Sequence, residues 1–409
     1  MNDEKKGYPM FKMNNIDDAF LFNDRVRFAD ISDKIFDNFK LEKNDVLFNR
    51  VNSEEFVGRT GIFKLDIKST FASYLIRLQT KEYGEILPDY LNIFLNSKYG
   101  LRQIKKFLRR AVNQANVNAE ELKQMKIAIL PMNVQKKIEK LSNDSWESFQ
   151  RSEKLYQQAE SFLLEELGLK DFETDKSLFS VVNLSEVKNA NRIDAEYFHS
   201  KYKYIIKKIE NYKNGWDFLE NITSFINNGN QPPYSVDGKI KFFSQKWIKD
   251  KVIDYSFLTD PDEPRVSKEF FNDEKNKIYL IRKYDILYYS VGANLGFCHN
   301  YLEEENIAIG SFINLIRADK NKINPVYLGF ALNSSVGRMQ AEMNKSGLAQ
   351  PYIYAKNLRK FKVPILSKEI QQKISDLVIK SHEARKKAKE LSDEAKKKVE
   401  EIIEKGDNN

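Results

Sequence analysis

LEKNDVLFNRV, residues 41–51, returns as IRKYDILYYSV, residues 281–291, and this recurrence decides how the chain is read. Each stretch carries an aspartate followed by β-branched and aromatic residues, Val46-Leu47-Phe48 and Ile286-Leu287-Tyr288. That composition predicts a strand. Asp285 follows Asp45 by 240 positions. Farther out, PDYLNIFLNSKYG (88–100) matches NPVYLGFALNSSVG (324–337), with Tyr327 237 positions after Tyr90. LKQMKIAILPMNVQKKIEKL (122–141) then matches LRKFKVPILSKEIQQKISDL (358–377), Leu358 standing 236 positions after Leu122. Three blocks in one order, with offsets drifting by four, identify a duplicated module with short loop insertions. A period near 240 is too long for a solenoid repeat.

Each copy closes in a long helix. After Pro131, the residues Val134, Ile138, Leu141, Leu155, Ala159 and Phe162 keep helical spacing as far as Gly168. After Ser367, a good N-cap, Ile370, Ile374, Leu377, Ser381, Ala384, Ala388, Leu391 and Ala395 alternate steps of four and three, a heptad seam. Roughly 35 residues give each helix roughly 50 Å. Neither buries its stripe alone, and the alanines permit close approach, so the two are expected to pair. Antiparallel pairing follows because the module between them must lead the chain back. The alternative is two amphipathic helices lying separately on their own domains. The expected fold is α+β: two duplicated α+β domains separated by two long helices that form an antiparallel coiled coil. The first domain spans 1–131, the central helix 132–169, a linker 170–191, the second domain 192–366 and the C-terminal helix 367–405.

Among 409 residues, 41% are hydrophobic and 12% aromatic, which excludes a largely disordered chain. A net charge of +8 favours an anionic partner without choosing among nucleic acid, acidic protein and membrane. The single cysteine, Cys298, permits no internal disulfide and no cysteine-based zinc site. His199, His299 and His382 lie far apart, and His299 beside Cys298 makes a pair, not a site. The opening MNDEKKGYPM has no apolar signal region, and no apolar run approaches the ~20 residues of a membrane span. A cytoplasmic protein without membrane contact is expected. No catalytic, cofactor-binding or metal-binding residues are expected either. Gln231-Pro232-Pro233-Tyr234 resembles the Asn-Pro-Pro-Tyr signature of amino-methyltransferases, but glutamine is one methylene too long and no glycine-rich turn precedes it. The acidic pairs Glu54-Glu55 and Glu165-Glu166 have no visible partner, and no P-loop or nucleophile elbow is present.

This plan resembles the specificity subunits of type I restriction-modification systems. The motifs that carry the resemblance occur in order: Asn44-Asp45-Val46-Leu47 and Tyr284-Asp285-Ile286-Leu287; Tyr90 to Ser97 and Tyr327 to Ser334; Ser346-Gly347-Leu348-Ala349-Gln350 with its degenerate partner Ala111-Val112-Asn113-Gln114; Val363-Pro364 to Gln371 with Ile129-Leu130-Pro131 to Gln135; and Arg192-Ile193-Asp194-Ala195-Glu196-Tyr197-Phe198 opening the second copy. The resemblance implies two target-recognition domains, each reading half of a split site in double-stranded DNA. It implies a helical spacer that docks DNA adenine methyltransferase subunits and recruits restriction subunits. S-adenosylmethionine, ATP and Mg then belong to those partners, and the isolated chain could pair with a second copy through its seams. One departure is clear. GYPMFKM, which matches GKIKFF at Gly238, begins at Gly7, so the first copy lacks roughly the opening 40 residues of the second. The recognition region of a fused restriction-methylation enzyme would look the same here, whereas a non-DNA coiled-coil scaffold leaves the duplicated modules unexplained.

DNA readers take affinity from cations on phosphates and specificity from side chains on base edges. In the first copy the candidates are Arg50, Asn52, Arg59, Lys105, Lys106, Arg109, Arg110, Asn113 and Gln114. The run 105–110 is singled out because four like charges repel unless an anion compensates them. In the second copy they are Asn228, Gln231, Ser244, Lys246, Asn294, Lys345 and Gln350. If the helices act as a ruler, deleting one heptad from both shortens the unread spacer between half-sites. Mapping methylated bases would detect this, and an unchanged spacer would discard the ruler.

Overall fold

Asp45 and Asp285 each close a turn that launches the central strand of their copy. The structure is a computed structural model and describes residues 6–23, 26–82, 84–111, 114–170, 179–260, 262–347 and 349–406. Asn44 and Tyr284 sit at φ 73° and 75°, the left-handed conformation that a tight turn exacts. Asp45 Oδ2 accepts from the Glu42 amide at 2.9 Å, and Asp285 Oδ2 accepts from the Arg282 amide at 2.9 Å. Gln79 Nε2 donates to Asp45 Oδ1 at 2.8 Å; at the corresponding place Arg317 Nε reaches Asp285 at 3.0 Å. Burial pushes the Asp285 carboxyl above the usual carboxylate range, against the pull of Arg317.

The copies agree strand by strand. Val46–Asn49 lies between Thr60–Ile62 and Leu75–Leu78, and Ile286–Tyr289 lies between Cys298–Asn300 and Ile313–Ala318, every pairing antiparallel. A smaller sheet repeats too. Tyr8–Phe11 runs parallel to Thr70–Phe71 and antiparallel to Arg27–Ala29; Ile240–Phe243 runs parallel to Ala308–Ile309 and antiparallel to Arg265–Val266. The second copy adds Thr223–Asn228 beside Ile313–Ala318 and Trp216–Phe218 beside Lys362–Pro364.

The block after the strands forms two short helices in each copy: Pro88–Asn96 then Lys98–Lys106, and Pro325–Asn333 then Ser335–Asn344. Proline at the first turn suits each start. Ser97 and Ser334 make the corner, their hydroxyls donating to Phe94 O at 2.6 Å and Ala331 O at 2.7 Å. Gly100 and Gly337 are required there, since a Cβ would lie 2.4 Å from Phe94 O and 2.2 Å from Leu332 O.

The long helices are Met132–Glu166 and Lys368–Lys405, the latter capped by Ser367 Oγ, which accepts from the Ile370 amide at 3.3 Å. The chain divides into two compact units, residues 1–152 with 383–409 and residues 153–382. Within the first unit Ser145 Oγ donates to Ala388 O at 2.7 Å, and Ile138 shares a core with Ala395 and Val399. One helix therefore ascends as the other descends: the pair is antiparallel, as expected. Within the second unit Ala159 and Leu163 share a core with Ile374, and the Lys373 ammonium lies 3.6 Å from the Phe162 ring centre.

The seam itself is rotated from the predicted one. On the first helix the buried positions are Gln135, Ile138, Ser142, Ser145, Phe149, Ser152, Tyr156, Ala159 and Leu163, a continuous alternation of three and four. Val134, Leu141, Leu155 and Phe162 flank it, half-buried. On the second helix Ile374, Ala388 and Ala395 are buried as expected, together with Gln371, Ser381, Ser392 and Val399; Ile370, Leu377, Ala384 and Leu391 are half-buried beside them. The cause is serine. A serine is small enough for a tight interface, and its hydroxyl can bond across it, as Ser145 does to Ala388, or back to its own helix, as Ser375 Oγ does to Gln371 O at 2.7 Å.

One amide fixes each helix to its module. Gln135 Oε1 accepts from the Leu87 amide and Gln371 Oε1 from the Asn324 amide, both at 2.9 Å; each Nε2 donates at 2.8 Å to a carbonyl five residues earlier, Leu130 and Leu366. The wholly buried Tyr90 and Tyr327 complete the joint, donating to Ala128 O at 2.5 Å and Pro364 O at 2.8 Å. Gln135→Ala and Gln371→Ala each strand buried backbone groups and should cost about 1–3 kcal/mol, measured by urea unfolding; a change below about 0.5 kcal/mol would show that water replaces the amide.

Candidate nucleic-acid interface

In both copies a loop leaves the second short helix and docks on the exit of the central strand. In the first, Arg109–Ala111 pairs antiparallel with Gln114–Asn116, which pairs with Val51–Asn52. In the second the same ladder contracts to two bridges, Ser346 with Tyr352 and Tyr352 with Val291. The Val117 amide donates to Arg50 O and the Ile353 amide to Ser290 O, both at 2.9 Å. Matching residues thus hold matching loops.

In the first unit this ladder brings together Arg50, Asn52, Arg109, Arg110 and Gln114, with Lys105 and Lys106 exposed at the adjoining helix end. Arg59 stacks on Phe56, its guanidinium 4.1 Å from the ring centre, and its carbonyl accepts from Asn49 beside Arg50. Asn113 lies outside the described residues. Residues 109–111 are a strand.

The like charges at 109 and 110 are compensated within the chain, contrary to the expectation of an external anion. Arg109 Nε and Nη2 donate to Glu121 Oε1 at 2.9 and 2.5 Å, and Arg110 Nε and Nη2 donate to the two oxygens of Glu54 at 3.0 and 2.7 Å. These guanidiniums hold both carboxylates below their usual range. The chain supplies two of the anions itself, which leaves Lys105 and Lys106. The other acidic pair has partners too: Glu165 meets Lys170, and Glu166 accepts from Tyr212 OH at 3.0 Å.

In the second unit, Gly292 donates to Pro351 O at 2.8 Å, joining the loop that carries Asn294 to the loop that carries Lys345 and Gln350. Asn228 Nδ2 donates to Ser311 O at 3.3 Å, and Ser290 donates to Phe312 O at 3.3 Å, so the turn 310–312 connects Asn228 to the same place. Gly310 donates to Phe243 O, just before Ser244, and Gln231 Oε1 lies beside Gly310. Lys246 is drawn elsewhere, bonding the buried Glu263 at 2.9 Å and lying over Trp247. Lys345 is half-buried and faces Glu342 at 3.9 Å. Phe312, 58% exposed, stands in the middle of this cluster. One aromatic in Gly310-Ser311-Phe312-Ile313 reads from sequence like any core residue, and no signal there could have distinguished it.

The Cys298–His299 pair is structural. Cys298 is buried, and burial pushes its thiol upward; His299 Nε2 faces Lys249 O at 3.1 Å. Among the described residues no three His, Cys, Asp or Glu side chains gather to hold a metal, and no helix is long and apolar enough to cross a membrane.

A family model described as the type I restriction modification DNA specificity domain matches residues 2–143 and again 230–391. A protein of Methanocaldococcus jannaschii carrying the name type I restriction enzyme MjaX specificity subunit is 30% identical over 145 residues, 35% of this chain and 34% of that one. The type I restriction enzyme EcoKI specificity subunit of Escherichia coli is 25% identical over 140 residues, 34% of this chain and 30% of that one. The matches span about a third of the length of these curated relatives. A solved S subunit of a type I system from M. genitalium has 16% identity over 96% of this chain and 92% of that one, with a TM-score of 0.44. The HsdS subunit from Thermoanaerobacter tengcongensis has 14% identity over 97% and 89%, with a TM-score of 0.31.

His299 gives the second unit an acid-side weakness. Burial pushes its pKa down to about 4, whereas the unfolded imidazole titrates near ~6.5. The unfolded chain therefore binds the proton first, and stability is lost as pH falls from about 6.5 through 4. His299→Gln should flatten that limb in urea unfolding followed against pH; an unaltered slope would place the acid sensitivity elsewhere.

Proposed function

Because the chain belongs to the type I restriction modification DNA specificity domain family, we propose that it is the DNA-reading subunit of such a system, each copy reading one half of a two-part site. The observation that carries this reading is the docked loop. The same strand exit, in both copies, presents amides and cations at the end of a sheet. Lys105 and Lys106 would meet phosphates, which carry no sequence information but fix the register. Arg110 would exchange the exposed Glu54 for phosphate at small cost, since surface ion pairs are worth about 0–1 kcal/mol, and Arg109 would exchange the half-buried Glu121. Asn228, Gln231, Asn294 and Gln350 would read base edges, where a paired contact contributes about 1–3 kcal/mol of discrimination. Phe312 offers the apolar contact that a thymine methyl accepts.

Catalysis belongs to other chains in this reading. The coiled coil would dock two DNA adenine methyltransferase subunits and recruit restriction subunits, with S-adenosylmethionine, ATP and Mg bound there, in the cytoplasm. Mapping methylated bases genome-wide with and without this chain tests it: a two-part motif should vanish with the chain, and its persistence would end the proposal. On the purified protein, Lys105→Ala with Lys106→Ala should weaken binding to all duplexes alike and lower the salt slope by about 2. Gln350→Ala should instead relax one base position of one half-site. A uniform loss from Gln350→Ala would make it a phosphate contact.

A further inference from the structure

The segment Arg192-Ile193-Asp194-Ala195-Glu196-Tyr197-Phe198, which opens the second copy, grips a part of the fold far along the chain. Arg192 Nη1 donates to Met343 O at 3.4 Å and Nη2 to Lys345 O at 3.1 Å, across 151 and 153 residues. Those carbonyls close the helix Ser335–Asn344, whose last turn has no helical donors of its own for them. The guanidinium is itself fixed. Nε and Nη2 donate to the two oxygens of Asp194 at 2.7 and 2.9 Å, and the Tyr197 ring centre lies 4.7 Å away. Asp194 Oδ1 also accepts from the Tyr197 amide at 3.1 Å. Tyr202 adds a second tie: its hydroxyl donates to Glu196 Oε1 at 2.6 Å and stands 3.3 Å from Glu342 Oε2, on the same helix end. The loop that carries Gln350 begins here. Ser346 and Tyr352 exchange backbone hydrogen bonds at 2.9 and 2.8 Å across its neck. Its outgoing limb is docked on the strand exit, where Gly292 donates to Pro351 O and Ile353 to Ser290 O. Its incoming limb is the one that Arg192 holds. A planar fork suits the task, because it meets a carboxylate and two carbonyls at once.

We propose that Arg192 is a positioning residue for recognition by the second copy: without touching DNA, it fixes the incoming limb of the Gln350 loop and so the approach of Gln350 to a base edge. The inference rests on the DNA reading proposed above. An amide discriminates between bases only while it is held in register, since a loop free to shift can satisfy the wrong base. Gln350 is exposed and Tyr352 half-buried, so the loop draws its rigidity from its two limbs. Arg192 is only 25% exposed, and its Nε, Nη1 and Nη2 all donate within the chain. That sets it apart from Lys105 and Lys106, which are exposed.

The test has two arms on the full chain: amide hydrogen exchange without DNA, and titration with duplexes that carry single base changes. In Arg192→Ala the Ser346 and Tyr352 amides should exchange at least about tenfold faster. Discrimination at the base position that Gln350→Ala relaxes should fall at least about fivefold. Discrimination in the other half-site and the salt slope should match the parent chain. Arg192→Lys, which keeps the charge without the fork, should behave like Arg192→Ala, and it decides if the alanine variant does not fold. Arg192→Ala combined with Gln350→Ala should relax that position no further than Gln350→Ala alone. Unchanged exchange at Ser346 and Tyr352, retained discrimination, full rescue by lysine, or a salt slope lower by about 1 would overturn the proposal. A parent chain that binds every duplex alike, while Arg192→Ala still speeds exchange, would instead end the DNA reading and leave Arg192 a structural clamp.

Discussion

The buried amides of Gln135 and Gln371 are the constraint on which the architecture depends. Each glutamine bonds backward to its own helix entry and sideways to the start of a short helix. It thereby converts a flexible junction into a fixed angle between module and helix. A glutamate on the other long helix holds the neighbouring corner: Glu400 accepts from the Lys98 amide at 2.7 Å in the first unit, and Glu160 accepts from the Ser335 amide at 3.1 Å in the second. A carboxylate at a helix N-terminus is well placed electrostatically. Each module is thus gripped by the beginning of one helix and the far end of the other.

The coiled coil between those grips is unusual in what it buries. Ser142, Ser145 and Ser152 on one helix and Ser381, Ala388, Ser392 and Ala395 on the other contribute little apolar area. Its apolar weight lies toward the modules, where Ile138 and Val399 join one core and Leu163 and Ile374 another. Aromatic side chains fill part of the first unit's remainder: Phe22 and Phe149 are 4.3 Å apart, and the Arg385 guanidinium lies 4.1 Å from the Phe149 ring. Small residues set the helix separation, and the module cores supply the burial.

Repetition made much of this legible. Aligning Asp45 with Asp285 located both central strands, and the pairs Tyr90/Tyr327 and Gln135/Gln371 marked joints that share their main hydrogen bonds. The seam was less legible, because a search for apolar residues passes over Gln135, Ser142, Ser145, Ser152 and Ser392, all buried. The candidate interface was harder. Glu54 and Glu121 lie 56 and 12 residues from the arginines they neutralise, and the ladder that gathers Asn52 with Gln114 leaves no periodic trace. Asn228, Asn294 and Gln350 are connected through hydrogen bonds between segments distant in sequence, which composition does not encode.

The bond from Ser145 to Ala388 closes a loop of 243 residues. A ribosome makes the chain from its N-terminus, so the first unit emerges with its sheets yet without residues 383–405, of which Ala395 and Val399 belong to its core. The second unit, residues 153–382, is synthesised later yet has all its parts in hand earlier. The apolar face of the first unit therefore waits for residues 383–405, which are made after every residue of the second unit.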